Sequence, residues 1–219
     1  MRQMIGYLQV MRLMLFTSNL FSTLFELTWY KTMLESWLAP LITPDAKILE
    51  VGCAGGDLSR WLADKQMQVW AVDSSAASLG KAMHISGQVH FAQADAHHLP
   101  FPDGYFDFVV AASLINVVDA PDAVIGEMHR VCRDGGTVAV LVPDQLFTVA
   151  EAEKFLETER LTGFSRAAYS TWNRLARKMH ADDVYRYFNE CGLVNISSNR
   201  LLDGLVFAMY GNKLININS

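Results

Sequence analysis

Glu50-Val51-Gly52-Cys53-Ala54-Gly55-Gly56 closes a short apolar run, and in this 219-residue chain it is the segment best suited to hold a ligand. Glycines there let the backbone turn sharply and approach a bound group, and a helix that follows offers its free N–H groups. Asp73 ends the next apolar run, 21 residues after Gly52. A carboxylate at that distance accepts both hydroxyls of an adenosine ribose. A third acid, Asp95, ends the run after that, before His97-His98-Leu99-Pro100-Phe101-Pro102-Asp103-Gly104 and Phe106-Asp107. The glycine loop and Asp73 alone indicate an adenosine-type cofactor in a Rossmann-like fold, and no more.

The pattern of the chain supplies elements to position these groups. KILEVGC (47–53), VWAVD (69–73), VHFAQAD (89–95), FDFVVAASL (106–114) and TVAVLVP (137–143) read as strands. Between them, DLSRWLADKQ, SAASLGKAMH and DAPDAVIGEMHRVC read as helices, the last entered through Pro121, while LPFPDG reads as a loop. Strands alternating with helices of about 10–15 residues predict a parallel sheet covered on both faces. From Glu151 the chain turns to charged and aromatic helix, EAEKFLETER and YSTWNRLARKMH, then ADDVYRYFNECG (181–192). LVNISSN and LVFAMYGNK close it as a hairpin around Asp203-Gly204. The expected architecture is α/β: a Rossmann-like doubly wound sheet, mostly parallel, with a C-terminal antiparallel hairpin and an N-terminal helical cap. Residues 1–45 form the cap and 46–219 the core, with 151–180 a helical lid inserted in it.

Residues of the set AVILMFWYC make up 51% of the chain and charged residues 19%, which describes a somewhat apolar globular protein. The net charge of -5, from 18 basic and 23 acidic residues, lacks the footprint of a phosphate-backbone binder, so nucleic acid is not the expected partner. Cys53, Cys132 and Cys191 are far apart with no CxxC, so no metal site is expected. The sparse count suggests reduced thiols and a cytoplasmic setting. Met4 to Trp29 is apolar, but its longest uncharged run, between Arg12 and Glu26, is too short and too polar to span a bilayer. It reads as a packed or substrate-covering helix, with membrane-surface contact as the second reading.

The stretch 47–143 resembles the class I S-adenosylmethionine-dependent methyltransferases, in particular the small-molecule branch that includes the ubiquinone/menaquinone C-methyltransferases. The residues that carry it are ILEVGCAGG, AVD, QADAHHLPFPDGYFDFVV, NVVD and MHRVCRDGGTVAVL, in order and at family-like spacing. The resemblance implies S-adenosyl-L-methionine as cofactor. It places Gly52, Cys53, Ala54 and Gly56 along the methionine part, Glu50 at the methionine ammonium, and Asp73 at the ribose with Ser74 beside it. Asp95 would accept from the adenine amino group, Ala96 would add a backbone contact, and Ser113 would line the methyl-transfer centre. Ala54 stands where the family often has glycine.

Methyl transfer from a sulfonium is a one-step displacement, for which an enzyme supplies chiefly proximity and orientation. The lack of an obvious catalytic dyad therefore agrees with the resemblance. Candidates for acceptor contact or proton handling are Tyr30, Ser113, Asn116 and His180, with Trp29, Tyr169 and Trp172 as aromatic neighbours. Arg166, Arg174, Arg177 and Lys178 read first as a solvated helix face. After the fourth strand, Ser113-Leu114-Ile115-Asn116 lacks the Asn/Asp-Pro-Pro-aromatic pattern of nucleic-acid and glutamine amine methyltransferases. A small acceptor, hydrophobic or aromatic, is expected. Two other readings stay open: a protein that binds the cofactor without transferring a methyl group, and a nicotinamide-dependent oxidoreductase. Against the latter, Gly52-x-Ala54-x-Gly56 is not GxGxxG.

Overall fold

The computed structural model describes residues 24, 27–83 and 88–215. In chain order its elements are α1 (Thr28–Leu38), β1 (Lys47–Val51), α2 (Asp57–Asp64), β2 (Gln68–Asp73), α3 (Ala76–Met83), β3 (Val89–Gln93), β4 (Phe106–Ala112), α4 (Pro121–Val131), β5 (Cys132–Pro143), α5 (Val149–Thr158), α6 (Gly163–Leu175), α7 (Ala181–Glu190), β6 (Leu193–Leu201) and β7 (Val206–Lys213). The strands form one sheet in the order β3-β2-β1-β4-β5-β7-β6. The pairs β1·β2, β1·β4, β2·β3 and β4·β5 are parallel, while β7 runs antiparallel to both β5 and β6. This is the expected doubly wound sheet with its hairpin. Of the expected apolar N-terminal helix, residues 1–23 and 25–26 lie outside the described residues.

Alternate residues of the central strands enter opposite cores, as a pleated strand requires. Ile48, Val69, Ala71, Phe108 and Val110 join Leu34, Trp37, Leu58, Leu62, Leu79, Phe155 and Trp172 on one face. Leu49, Val51, Val72, Val109 and Ala111 join Ile125, Met128, Val184 and Phe188 on the other. Helices α1, α2, α3, α5 and α6 thus share one face, and α4 and α7 take the other. Within the segment 151–180, Phe155, Tyr169 and Trp172 are buried in the same core as Tyr30 and Trp37.

Several boundaries differ from the sequence reading, each for a local reason. The third strand stops at Gln93, not Asp95, because the Asp95 carboxylate accepts the His97 N–H (2.9 Å) and bends the chain into a turn. The fourth stops at Ala112 because Ser113 has φ +58°. The fifth starts at Cys132 rather than Thr137, the Asp-Gly-Gly step being absorbed as an irregularity between the Phe106 and Phe108 pairings. Helix α6 begins at Gly163, six residues ahead of Tyr169. The last residue of SAASLGKAMH lies outside the described residues.

Gly136 is fixed by close approach. A Cβ there would lie 2.7 Å from Cys132 Sγ, 2.8 Å from the Arg133 carbonyl oxygen and 2.9 Å from that of Asp107. Two of these are backbone atoms, so the strand itself must shift. Gly136→Ala is expected to cost about 1–3 kcal/mol, read as a lower urea midpoint at unchanged slope. A midpoint equal to the wild type would show that this turn yields freely.

The LPFPDG loop is held from α4. Arg130 donates to the Leu99 and Phe101 carbonyls (3.0 and 2.9 Å) and to Asp103, while Glu127 accepts the Leu99 N–H (2.8 Å) and pairs with Arg130. Lys213, at the end of β7, donates to the carbonyls of His129, Arg130 and Cys132 and so closes the C-terminus of α4.

Candidate functional site

Strand order reverses at β1, which has β2 on one side and β4 on the other. Chains leaving the ends of β1 and β4 diverge there and open a crevice, the usual ligand position in such sheets. A cavity of about 210 Å³ occupies it, lined by the loop after β1 (Gly52 to Gly55), by Glu50, Asp57, Asp73 and Ser74, by Ser113, Leu114 and Val117 after β4, and by Tyr30 from α1. A second cavity of about 80 Å³ adjoins it, sharing Gly52, Asp73, Ser74 and Leu114, and reaches Asp95, Ala96 and Val118. Glu50, Gly52, Cys53, Ala54, Asp73, Ser74, Asp95, Ala96 and Ser113 thus line one continuous trough. Gly56 does not line it.

The loop's shape follows from its hydrogen bonds. Gly52 and Cys53 N–H groups donate to the Val72 carbonyl (2.8 and 3.0 Å), and Gly56 donates to the Cys53 carbonyl (2.7 Å). Gly52 and Gly56 have φ of +79° and +74°, open to glycine at little cost. A Cβ on Gly52 would meet Leu114 at 3.0 Å, on the wall of the trough, whereas one on Gly56 would meet Phe91 at 2.8 Å, behind it. Gly56 therefore serves the turn into α2, and Gly55 takes the place in the lining. Ala54 holds φ +45° with its N–H on Asp73 Oδ2 (2.9 Å). Asp73 Oδ1 accepts the Ser75 N–H (2.8 Å). Asp73 both fixes the glycine loop and enters the next helix, with lone pairs left for a ligand.

Glu50 is 3% exposed and accepts the Ser59 hydroxyl from α2. Burial pushes its carboxyl up to about 8 against the pull of that hydroxyl, and the charges of Asp57 and Asp73 push the same way. A cation docked in the trough would reverse this. The sign for stability follows: the unfolded carboxyl ionises near 4.5, so the contribution of Glu50 to the stability of the ligand-free protein is fully present below that pH and is lost as pH rises through about 8. Thermal midpoints of Glu50→Gln should fall less over that window than those of the wild type; equal slopes would assign the pH dependence to another group.

Ser113 combines a positive φ with a buried hydroxyl that finds no hydrogen bond of good geometry among the described residues, at the trough wall. Tyr30 lies beside it. Burial drives the Tyr30 phenol above its usual range, the Ser113 hydroxyl opposing this and Glu50 adding to it. Tyr30 is therefore a hydrogen-bond donor at neutral pH and not a phenolate base. Behind it stand Trp172 (5.6 Å, edge-on) and Trp29 (5.7 Å), backed by Phe147 and Tyr169. Cys53 is buried with its thiol pushed far up, which leaves no thiolate nucleophile.

Two sequence candidates are not brought to the trough. Asn116 is buried, but its Nδ2 donates to the Arg177 carbonyl (3.0 Å) and fastens two loops together. His180 is exposed at the N-terminus of α7. Asp95 lies on the rim, its carboxyl held below the usual range first by the His97 N–H and then by the His97 ring. Sequence reasoning missed Ser59, Leu114 and Val117. The signal for Ser59 was a hydroxyl on the same helical face as Leu58 and Leu62; Leu114 and Val117 gave none.

The residues fit an adenosine–methionine ligand on three counts: a buried carboxyl that no cation pairs with among the described residues, a carboxylate at ribose distance along the chain, and a trough that a Cβ on Gly52 would enter. A methyltransferase-domain family profile matches residues 49–140. The ubiquinone/menaquinone biosynthesis C-methyltransferase UbiE of Vibrio vulnificus (strain YJ016) is 30% identical over 188 residues, covering 78% of this chain and 72% of that protein. The phosphatidylethanolamine N-methyltransferase of Cereibacter sphaeroides is 40% identical over 101 residues, 43% of this chain and 49% of its own length. Among solved structures, an S-adenosylmethionine-dependent methyltransferase of Methanosarcina mazei superposes with TM-score 0.63 at 19% identity, covering 82% of this chain and 98% of that one.

Proposed function

The chain belongs to the class I S-adenosylmethionine-dependent methyltransferases, and on that basis we propose that it methylates a small, apolar or aromatic acceptor held against Tyr30 and Ser113. The observation that carries this reading is the meeting of Glu50, Asp73, Ser113 and Tyr30 on one trough at the switch point of the sheet. Glu50 would take the methionine ammonium, Asp73 and Ser74 the ribose, and Asp95 with Ala96 the adenine. The backbone of Gly52, Cys53 and Ala54 would run along the methionine part. When bound, S-adenosylmethionine supplies an electrophilic methyl group on a sulfonium sulfur.

This chain's own residues orient and exclude water. Effective molarities from such positioning are worth about 7–11 kcal/mol at best, so few reactive side chains are needed. Tyr30, protonated and rigidly backed by Trp172 and Trp29, would donate to a polar atom of the acceptor, and the unsatisfied Ser113 hydroxyl would be completed by the same group. The aromatic wall favours a ring, and the relatives named for quinone methylation make a quinol-like ring the first acceptor to test. The net charge of -5 speaks against a nucleic-acid acceptor. Residues 1–45 and 151–180 would act as the cap and lid over the acceptor.

Calorimetric titration with S-adenosylhomocysteine, with NADH as control, tests the site. Saturable one-site binding of the former alone is expected. Saturable binding of NADH, or none of S-adenosylhomocysteine to folded protein, would overturn the assignment of these residues.

A further inference from the structure

We propose that Ser59 is a positioning residue for cofactor binding: its hydroxyl, brought from α2, holds the Glu50 carboxylate ready for a ligand ammonium, so that the ammonium enters as the Glu50 proton leaves. The inference rests on the function proposed above, which puts the methionine ammonium at Glu50. Its own ground is a contact outside the trough. Glu50, on β1, lines the cavity, whereas Ser59 is fully buried and does not. The Ser59 hydroxyl donates to Glu50 Oε2. A helical serine ordinarily turns its hydroxyl to solvent or to a carbonyl of the preceding turn. Ser59 has a single O–H and commits it to the carboxyl. Each carboxylate oxygen carries two lone pairs, so this bond fixes the group and leaves acceptor capacity toward the trough.

The surroundings of Glu50 give that hydroxyl its effect. In the sheet Glu50 is paired with Ala71 of β2 and Val110 of β4, both apolar. The charged and titratable groups near it are Asp57 and Arg60 of α2, Asp73 at the end of β2, Cys53 of the glycine loop and Tyr30 of α1. Arg60 is engaged by Asp57 and by the Gly55 carbonyl (2.9 Å). Cys53 and Tyr30 stay protonated at neutral pH, since burial pushes both groups far up. Burial likewise raises the Glu50 carboxyl, the Ser59 hydroxyl opposes this, Asp57 and Asp73 add to the rise, and the Ser59 N–H supplies a smaller pull downward. The ionised carboxyl thus has a hydrogen-bond donor in place and lacks only a cation. A ligand ammonium supplies that charge, and below about pH 8 one proton passes from Glu50 to solvent for each ligand bound.

The experiment is calorimetric titration of the full chain, across neutral pH, with S-adenosylhomocysteine and with methylthioadenosine, which keeps the adenosine and lacks the ammonium. Wild-type affinity for S-adenosylhomocysteine should rise about tenfold per pH unit, as release of one proton requires, and level off near 8. Buffers of different ionisation enthalpy read the released proton directly. Affinity for methylthioadenosine should stay flat. Ser59→Ala should weaken S-adenosylhomocysteine binding at neutral pH about tenfold or more, the effect of one hydrogen bond to a charged group. It should also move the levelling upward in pH and leave methylthioadenosine unchanged. Ser59→Thr, which returns the hydroxyl, should restore affinity and profile, and Glu50→Gln should flatten the profile. Equal loss of both ligands in Ser59→Ala would reduce Ser59 to a packing residue of α2. An unchanged pH profile in that variant would show that the hydroxyl does not act on Glu50. Either result overturns the inference and leaves the cofactor site standing. Absence of S-adenosylhomocysteine binding by folded wild type at every pH would overturn the reading beneath it, and the inference with it.

Discussion

Asp73→Ala is expected to weaken S-adenosylhomocysteine binding by about 100-fold or more while the protein stays folded. Hydrogen bonds to a charged group contribute about 1.5–3 kcal/mol each, and the carboxylate would serve two ribose hydroxyls. It also accepts the Ala54 and Ser75 N–H groups, so its loss releases the glycine loop at Ala54, where φ is +45°. Asp73→Asn keeps one acceptor oxygen and should fall between the two. Calorimetry reads the affinity and circular dichroism the fold. If the alanine variant bound as tightly as the wild type while melting lower, Asp73 would be a helix-entry residue and nothing more.

Trp172→Ala should give the largest loss of stability, about 3–5 kcal/mol. The side chain is 1% exposed and contacts Tyr30, Trp29, Phe147 and Tyr169 in edge-on or tilted geometry. Removing it leaves a cavity between α6 and α1, and Tyr30 loses the wall that fixes its ring against the trough. Denaturant unfolding at unchanged slope measures the first effect. The second should appear as a higher KM for acceptor with S-adenosylhomocysteine affinity retained, if Tyr30 meets the acceptor as proposed. A stability loss under about 1 kcal/mol would mean that the α5–α6 segment is undocked from the core in solution, as a lid that spends most of its time open would be.

The parallel strands, the hairpin and the carboxylates at the ends of β1 and β2 were legible in the sequence because they depend on short-range pattern. A fully buried strand needs an unbroken apolar run, and a sharp exit needs glycine. The boundaries failed where a side chain competes with the ladder, as Asp95 does by drawing the His97 N–H into a turn, or where a bulge absorbs a turn, as before Gly136. The sequence could name Tyr30, Ser113, Asn116 and His180 as chemically able, yet not sort them. Sorting depends on which loop crosses which: Asn116 is drawn away to Arg177, and His180 ends on an exposed helix start. Gly55 and Gly56 are adjacent and alike in composition, and only the packing of Phe91 against one of them decides which lines the trough. The same holds for charge. Glu50 in the sequence is an ordinary acid; its shift to about 8 arises from burial between α2, the glycine loop and Tyr30, elements from distant parts of the chain. Local pattern determined which elements form and which acids stand at their ends, because backbone conformation answers to near neighbours. Tertiary structure alone decided exposure, ion pairing and ionisation, because those are set by whichever groups the fold brings within a few ångströms.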